Sequence, residues 1–332
     1  MDFPAWDPVL FDFPGPLDIR WYGLMYVFGF LVGQQILVRL ARAGFLPVDP
    51  KIAPDLVFYC VIGVMLGGRT GYALFYDTTH QLILPWNFVQ VWRGGLSFHG
   101  GLGGVAVALW FFARKHKVSW GRVADACCLA VTPGIFAVRF ANFINGELYG
   151  RECPAGTPGA MQFPTDPAAE RLLGLSPDWQ MRDRELCIQV AYKHRTWESV
   201  QGQLSDAEKD WSHVKENLDW ERVRHGVPFR HPSQLYEGLG EGLVLGIVLF
   251  VIYRLTRHQP WQQGRYSIVF LLGYAVVRWS LENVRQPDSQ FQNNGVVFLG
   301  MTMGQTLSTA MVVGAGLMLV WPKLFPKRSN LV

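Results

Sequence analysis

The chain has 332 residues and a formal net charge of +4 at pH 7. Half of its residues are apolar and 17% are charged, whereas soluble domains carry about 25% charged residues. This composition argues against two average soluble domains, and long stretches of the chain carry almost no charge. The sequence therefore predicts an all-α, polytopic membrane protein.

Seven apolar stretches are long enough, or nearly so, to cross a hydrocarbon core of ~30 Å as helices of about 20 residues. The third stretch is the shortest and is rich in glycine at its start. The predicted spans are residues 22–41, 55–76, 97–114, 123–145, 235–254, 266–285 and 302–321.

Basic residues indicate how these spans are oriented, because cytoplasmic loops are enriched in Lys and Arg. Such residues follow the first, third, fifth and seventh spans, and the alternate connections carry few. We expect the N-terminus outside, the C-terminus inside, and residues 152–230 as a small extracytoplasmic cap between spans four and five. The chain then divides into three parts. Residues 1–151 contain the first four spans, residues 152–230 form the cap, and residues 231–332 contain the last three spans. The orienting residues are Arg39, Arg42, Lys51, Arg114, Lys115, Lys117, Arg122, Arg254, Arg257, Arg265, Lys323, Lys327 and Arg328.

The cap contains two of the five cysteines, Cys153 and Cys187. A disulfide is chemically permitted outside the cytoplasm. Whether these two thiols are joined is left open by the sequence.

Two segments in the first half of the chain combine aromatic, histidine and glycine residues. RWYGLMY, residues 20–26, places Tyr22 at an outer interface, where aromatic residues are expected in any membrane protein. LSFHGGLGG, residues 96–104, contains His99, followed by glycines that let another backbone or a ligand approach closely. A lone histidine is more often a core residue, but His99 could act as a general base near neutral pH.

Arg139 lies within the fourth predicted span, in RFANFINGELYGR, residues 139–151. An arginine near the middle of a span costs about 2.5–3.5 kcal/mol on insertion scales, so it should face a partner or a wet cavity. On a helix, Arg139 and Asn142 share a face, and Glu147 lies near it one turn further on. The alternative is an arginine that snorkels to the outer interface.

RHPSQLYEG, residues 230–238, precedes the fifth span. We expect Ser233 to be the helix N-cap and Glu237 to lie in the first turn, where a carboxylate interacts favourably with the helix dipole.

The sixth span carries a polar stripe, because Tyr274, Arg278, Glu282 and Arg285 recur at intervals of four, four and three residues. Arg278 and Glu282 could form a self-neutralising i,i+4 pair, which would leave Arg285 without an obvious partner. Two spans that each carry an inward cation favour an anion pocket, since arginine suits bidentate contact with phosphate. An anion that arrives through the membrane suggests a phospholipid.

These segments resemble the prolipoprotein diacylglyceryl transferase family of bacterial inner membranes, in the family's order and from about residue 18 to 310. Val138 and Ala141 stand where the family signature usually has glycines, and residues 155–225 are longer than is usual. The segments that carry the resemblance are WYGLMY, GRTGY, GGLSFHGG, RFANFINGELYGR, HPSQLYE, GYAVVRWSLENVRQPD and MTMGQTLS.

The resemblance implies transfer of the diacylglyceryl group of phosphatidylglycerol to a cysteine thiol in the lipobox of a prolipoprotein signal peptide. The products are a thioether and glycerol phosphate, and no metal, nucleotide or other cofactor is needed. It also implies a multi-pass protein of the bacterial cytoplasmic (inner) membrane with its active site toward the outer leaflet. We expect a monomer that binds membrane lipid and no nucleic acid.

The resemblance also assigns roles to individual residues. Arg139 matches the arginine that binds the lipid head group, Arg278 the second essential arginine, and His99 the histidine proposed as the base for the thiol. We expect Glu147 and Glu282 to orient the arginines. The predicted substrate-binding positions are Tyr22, Arg139, Asn142, Glu147, Gly150, Tyr274 and Glu282, and no metal ligand is predicted.

Three other functions use parts of the same pattern. A transporter or flippase for an anionic lipid would need the same arginines but no thiol acceptor. A lipid phosphotransferase would need clustered aspartates for Mg²⁺, and the sequence has none. A membrane scaffold would leave the intramembrane arginines unexplained.

Overall fold

The computed structural model describes residues 3–4, 6, 9–11, 19–75, 97–166, 168, 224–259, 261–286, 296–298 and 300–324. Most of the predicted cap, including Cys187, lies outside these residues. The described part is mainly helical. Its helices are α1 (Trp21–Arg42), α2 (Asp55–Phe75), α3 (Phe98–Lys115), α4 (Trp120–Ile144), α5 (Ser233–Thr256), α6 (Arg265–Leu281) and α7 (Met303–Leu324).

Helix α5 changes its winding along its length. It begins as a short α-helix, Ser233–Glu237, continues as a π-helix, Gly238–Val244, and ends as an α-helix, Leu245–Thr256. π-helical turns are rare and are found frequently at functional sites.

Short strands and one 3₁₀ turn complete the described secondary structure. Strands β1 (Val9–Phe11) and β2 (Ile19–Arg20) form an antiparallel pair just before α1. Strands β3 (Val296–Phe298) and β4 (Met301–Thr302) form another just before α7. The 3₁₀ turn is Arg224–Gly226.

Five of the helices are long and apolar enough to cross a membrane. They are α1, α4, α5, α2 over Asp55–Leu74, and α7 over Met303–Val320. Helices α3 and α6 coincide with the third and sixth predicted spans but are not among these five. The prediction of a helical, polytopic membrane protein is thus confirmed, while seven crossings and their orientation stay predictions.

The chain forms two compact units. The first unit comprises Met1–Gly29, Gly134–Leu245 and Gly273–Val312. The second comprises Phe30–Pro133, Gly246–Leu272 and Val313–Val332. Each unit therefore combines three separate segments of the sequence.

Glycines bring α2 and α3 together inside the second unit. A Cβ atom added to Gly67 would lie 2.2 Å from the carbonyl oxygen of Gly100, and one added to Gly104 would lie 1.9 Å from that of Gly63. These distances exclude any side chain, and small residues are what allow membrane helices to pack this closely. The close backbone approach predicted for the glycines after His99 is therefore confirmed.

A buried carboxylate links α4 to the start of α6 in the second unit. Asp125 accepts hydrogen bonds from the backbone nitrogens of Ser267 at 2.9 Å and Gly264 at 2.8 Å, and from the Ser267 hydroxyl at 2.9 Å. The first N–H groups of a helix have no acceptor within the helix. Asp125 supplies acceptors from another helix and so fixes where α6 begins.

The start of α5 corrects one prediction. Pro232, not Ser233, is the N-cap residue, and no side chain caps this end. The Ser233 hydroxyl instead donates to the carbonyl oxygen of Leu148 at 3.0 Å. Ser233 therefore fastens α5 to the segment that follows α4.

Candidate functional site

Three arginines from different parts of the first unit converge on one carboxylate. In α4, Arg139 Nη1 lies 2.8 Å from Glu237 Oε2 in α5. The other carboxylate oxygen, Oε1, lies 3.5 Å from Arg278 Nη1 in α6 and 3.6 Å from Arg285 Nε just beyond α6. Glu237 thus connects the two arginines that the sequence singled out and joins Arg285 to them.

Two further glutamates complete this Arg–Glu cluster, which we define as Arg139, Arg278, Arg285, Glu237, Glu241 and Glu282. Glu241 Oε2 lies 3.5 Å from Arg139 Nη2, and the Tyr274 side chain interacts with both of these residues. Glu282 Oε2 lies 3.4 Å from Arg278 Nη2, which is the predicted i,i+4 pair. Its Oε1 accepts a hydrogen bond from the Thr302 hydroxyl at 2.5 Å.

Glycines in the π-helical stretch of α5 make room for this convergence. A Cβ atom on Gly238 would lie 3.2 Å from the Cβ of Arg139, and one on Gly242 would lie 2.6 Å from the backbone nitrogen of Phe136. On the side toward α6, a Cβ on Gly240 would lie 2.5 Å from Val277. Helix α5 can therefore approach both α4 and α6 closely enough for its glutamates to reach their arginines.

The cluster is largely shielded from solvent. The exposed side-chain fractions are 2% for Glu237, 0% for Glu241, 12% for Arg278 and 19% for Arg139. Charges in such surroundings are tolerated when they are paired, and loss of one partner costs about 3–5 kcal/mol. With three guanidinium groups and three carboxylates, the cluster balances its own formal charge.

A second group of polar residues surrounds Glu147. Its Oε1 accepts hydrogen bonds from Asn142 Nδ2 at 2.8 Å and Asn145 Nδ2 at 3.4 Å. Tyr22 lies beside Asn142 and Glu147. Within the described residues, Glu147 therefore contacts asparagines, whereas Glu282 contacts an arginine as expected. The backbone carbonyl of Glu147 also accepts a bond from Gln234 Nε2 at 2.7 Å.

Gly150 holds two backbone segments together. Its nitrogen donates to the carbonyl oxygen of His231 at 2.8 Å, and a Cβ atom at this position would lie 2.3 Å from the carbonyl oxygen of Val284. Next to it, Arg151 donates from its backbone to Val284 at 2.7 Å and from Nε to the carbonyl of Arg285 at 2.9 Å. The segment after α4 is thereby fastened beside Arg285.

His99 lies in the first turn of α3, in the second unit. Ser97 caps this helix, because its hydroxyl accepts a hydrogen bond from the Gly100 nitrogen at 3.3 Å. The side chain of His99 lies outside the described part of the structure, so its role as a base stays a prediction.

Sequence reasoning did not identify the carboxylates at the centre of the cluster. It gave Glu237 only a helix-dipole role and did not single out Glu241. Their spacing of four residues in an otherwise apolar helix is the signal that could have found them, since it repeats the spacing of Arg278 and Glu282. Among the described residues, no group of three His, Cys, Asp or Glu side chains is arranged to hold a metal ion.

Fold and site together define a polytopic helical membrane protein with a largely buried cluster of arginines and glutamates. The family model described as prolipoprotein diacylglyceryl transferase matches residues 8–321, and the chain belongs to this family.

Curated relatives cover nearly the whole chain. Proteins from Burkholderia thailandensis, Burkholderia mallei and Burkholderia pseudomallei are each 36% identical to it over 321 residues, which is 96% of this chain and 95% of theirs. Each of these relatives is named phosphatidylglycerol--prolipoprotein diacylglyceryl transferase. The resemblance inferred from the motifs is therefore confirmed.

Proposed function

We propose that this protein transfers the diacylglyceryl group of phosphatidylglycerol to the lipobox cysteine of prolipoproteins. It is a transferase, as the family and the names of its relatives indicate. The observation that carries the proposal is the convergence of Arg139 and Arg278, from separate helices, on one buried site. A lipid phosphate is an anion that such a site can hold.

The reaction replaces a carbon–oxygen bond with a carbon–sulfur bond. The thiolate sulfur attacks the glyceryl carbon that carries the phosphate oxygen, and the electrons of the broken bond remain on glycerol phosphate. Negative charge therefore grows on the phosphate oxygen in the transition state. Preorganised cations in a site of low dielectric constant stabilise such charge strongly, which is the role we give Arg139 and Arg278.

The thiol must lose its proton for the sulfur to attack. We assign this step to His99, whose imidazole can accept a proton near neutral pH. The Glu147 group, with Tyr22 and Asn142, offers hydrogen-bonding partners for the glycerol hydroxyls. Tyr274 and Glu282 orient the arginines, and Gly150 keeps the neighbouring backbone close to the site.

The membrane arrangement belongs to the same proposal. We propose seven spans, and the basic residues after alternate spans support an N-terminus outside and a C-terminus inside. The site then faces the outer leaflet of the bacterial cytoplasmic membrane, where residues 152–230 form the extracytoplasmic cap. We propose that the protein acts as a monomer on phosphatidylglycerol and a prolipoprotein signal peptide.

The decisive experiment uses purified protein in nanodiscs with phosphatidylglycerol and a lipobox peptide. Glycerol phosphate release and the mass of the peptide are followed for the wild type, for Arg139→Ala, and for a peptide whose cysteine is serine. Arg254→Ala is the matched control, because Arg254 is an exposed arginine of α5. Release and a diacylglyceryl mass gain that need both the thiol and Arg139 support the transferase. Movement of intact lipid without release would support a flippase instead.

A further inference from the structure

We infer that Glu237 is an internal counter-ion, which the lipid phosphate displaces from the three arginines and which returns to them when glycerol phosphate leaves. The inference rests on the proposed function, because it assumes that the Arg–Glu cluster binds the phosphate of phosphatidylglycerol. Glu237 then acts as a positioning residue that sets how tightly substrate and product are held.

The contacts of Glu237 are uneven. Only the 2.8 Å contact of Oε2 with Arg139 has the length of a charge-assisted hydrogen bond, about 2.7–2.9 Å. Oε1 lies between Arg278 and Arg285 at 3.5 and 3.6 Å. Within the described residues, Glu237 Oε1 and Arg278 Nη1 are both buried and make no hydrogen bond. Buried polar atoms without hydrogen-bond partners are uncommon in folded proteins, so the pairing of Glu237 Oε1 with its arginines is incomplete.

A phosphate group could contact the three arginines more evenly than the Glu237 carboxylate does. A carboxylate has two oxygens with which to meet three guanidinium groups, whereas a phosphodiester presents two non-bridging oxygens, which share one negative charge, as well as two bridging ones. Arginine is the side chain best matched to phosphate geometry. A phosphate between Arg139 and Arg278 would therefore take the position that Glu237 holds in this structure.

Charge balance points to the same residue. The three guanidinium groups are already neutralised by Glu237, Glu241 and Glu282, so an incoming phosphate adds an unbalanced negative charge. Glu282 is held by Thr302, and Glu241 contacts Arg139 and Tyr274. Glu237 is the carboxylate that all three arginines share. It is thus the group with which the phosphate competes most directly.

The test is Glu237→Gln, which keeps the size of the side chain and removes its charge. We expect the KM for phosphatidylglycerol and the inhibition constant of added glycerol phosphate to fall roughly tenfold, within the usual range of coupling between two sites. Because product leaves more slowly, kcat falls as well. A residue with a purely structural role would not produce tighter product inhibition.

Three comparisons keep the test decisive. Glu152→Gln is the matched control, since Glu152 is 66% exposed and pairs with Arg230 outside the cluster. If Glu237→Gln is unstable, Glu237→Asp keeps the charge on a shorter side chain, and its product inhibition should lie between those of the wild type and Glu237→Gln. Phosphatidylglycerol should also raise the unfolding temperature of Glu237→Gln more than that of the wild type.

The possible outcomes separate this inference from the proposed function. If the wild type transfers the diacylglyceryl group but Glu237→Gln binds phosphatidylglycerol and glycerol phosphate no more tightly, the counter-ion inference is wrong and the transferase stands. If the wild type transfers nothing, the proposed function fails. Tighter binding of phosphatidylglycerol by Glu237→Gln would then still identify Glu237 as a competitor of the phosphate.

Discussion

Arg230 Nη1 donates a hydrogen bond to Gln286 Oε1 at 2.7 Å, one residue beyond Arg285. Arg230 is buried, pairs with Asp166 and Glu152, and lies 5.2 Å from the ring centre of Tyr149. It therefore ties the segment after α4 to the residues that follow α6. This contact lies outside the Arg–Glu cluster but directly follows Arg285 in the chain.

Replacement of Arg230 by leucine should reduce stability strongly. It leaves the buried carboxylate of Asp166 without its cation, which costs about 3–5 kcal/mol. Thermal unfolding in detergent measures the effect, and Glu152→Gln should change stability by less than about 1 kcal/mol because Glu152 is exposed. Equal stability of Arg230→Leu and wild type would show that Arg230 does not support this region.

Arg139→Lys should reduce kcat/KM by about 10²–10³-fold, the usual cost of losing one preorganised group that stabilises transition-state charge. Lysine keeps the positive charge but presents a point charge in place of a planar, bidentate donor. Steady-state release of glycerol phosphate checks this, with Arg254→Lys as the control. Near-normal turnover by Arg139→Lys would mean that charge alone is sufficient.

Gly242→Ala should impair both folding and activity. The added methyl group would lie 2.6 Å from the backbone nitrogen of Phe136, so α4 and α5 would have to separate and draw Arg139 away from its glutamates. Gly103→Ala is the matched control, because a Cβ atom there meets nothing within 4 Å. The yield of folded protein and its transferase activity are the measurements, and the expectation fails if the two variants behave alike.

Asp125→Ala should destabilise the protein with little effect on chemistry at low temperature. Three hydrogen bonds at the start of α6 lose their acceptor, and each buried donor left unsatisfied costs about 1–3 kcal/mol. Ser267→Ala removes one of the three donors and should cost about 1 kcal/mol. The unfolding temperature and kcat/KM are measured for both variants. A large loss of kcat/KM in a variant whose unfolding temperature is unchanged would contradict this prediction.

His99→Gln should lower kcat by about 10²–10⁴-fold if His99 is the base that takes the thiol proton. The residual activity should then rise with pH, because more of the peptide is already a thiolate in solution. A pH profile of residual turnover that matches the wild type would instead give His99 a positioning role.

The sequence predicted the site's cations better than its anions. Arg139 and Arg278 were recognisable because charge is costly in an apolar span, and Glu282 because it is four residues from Arg278. The meeting of Arg285 with Glu237 could not be predicted, since it depends on how α5 packs against α6. The prediction of Ser233 as the N-cap was wrong because its hydroxyl donates a hydrogen bond to the carbonyl oxygen of Leu148. Leu148 is distant in sequence, so this contact could not be predicted.

The π-helical winding of Gly238–Val244 makes the number of residues in α5 as important as their kind. A π-helical stretch has wider turns than an α-helix, so deletion of a single residue there would let the stretch relax to a regular α-helix and would remove the wide turns that carry Gly238, Gly240 and Gly242. The close contacts of these glycines with Arg139, Phe136 and Val277 would then be lost. Substitutions should be tolerated at the exposed positions Leu239, Leu243 and Val244, whereas changes of length should disrupt the site.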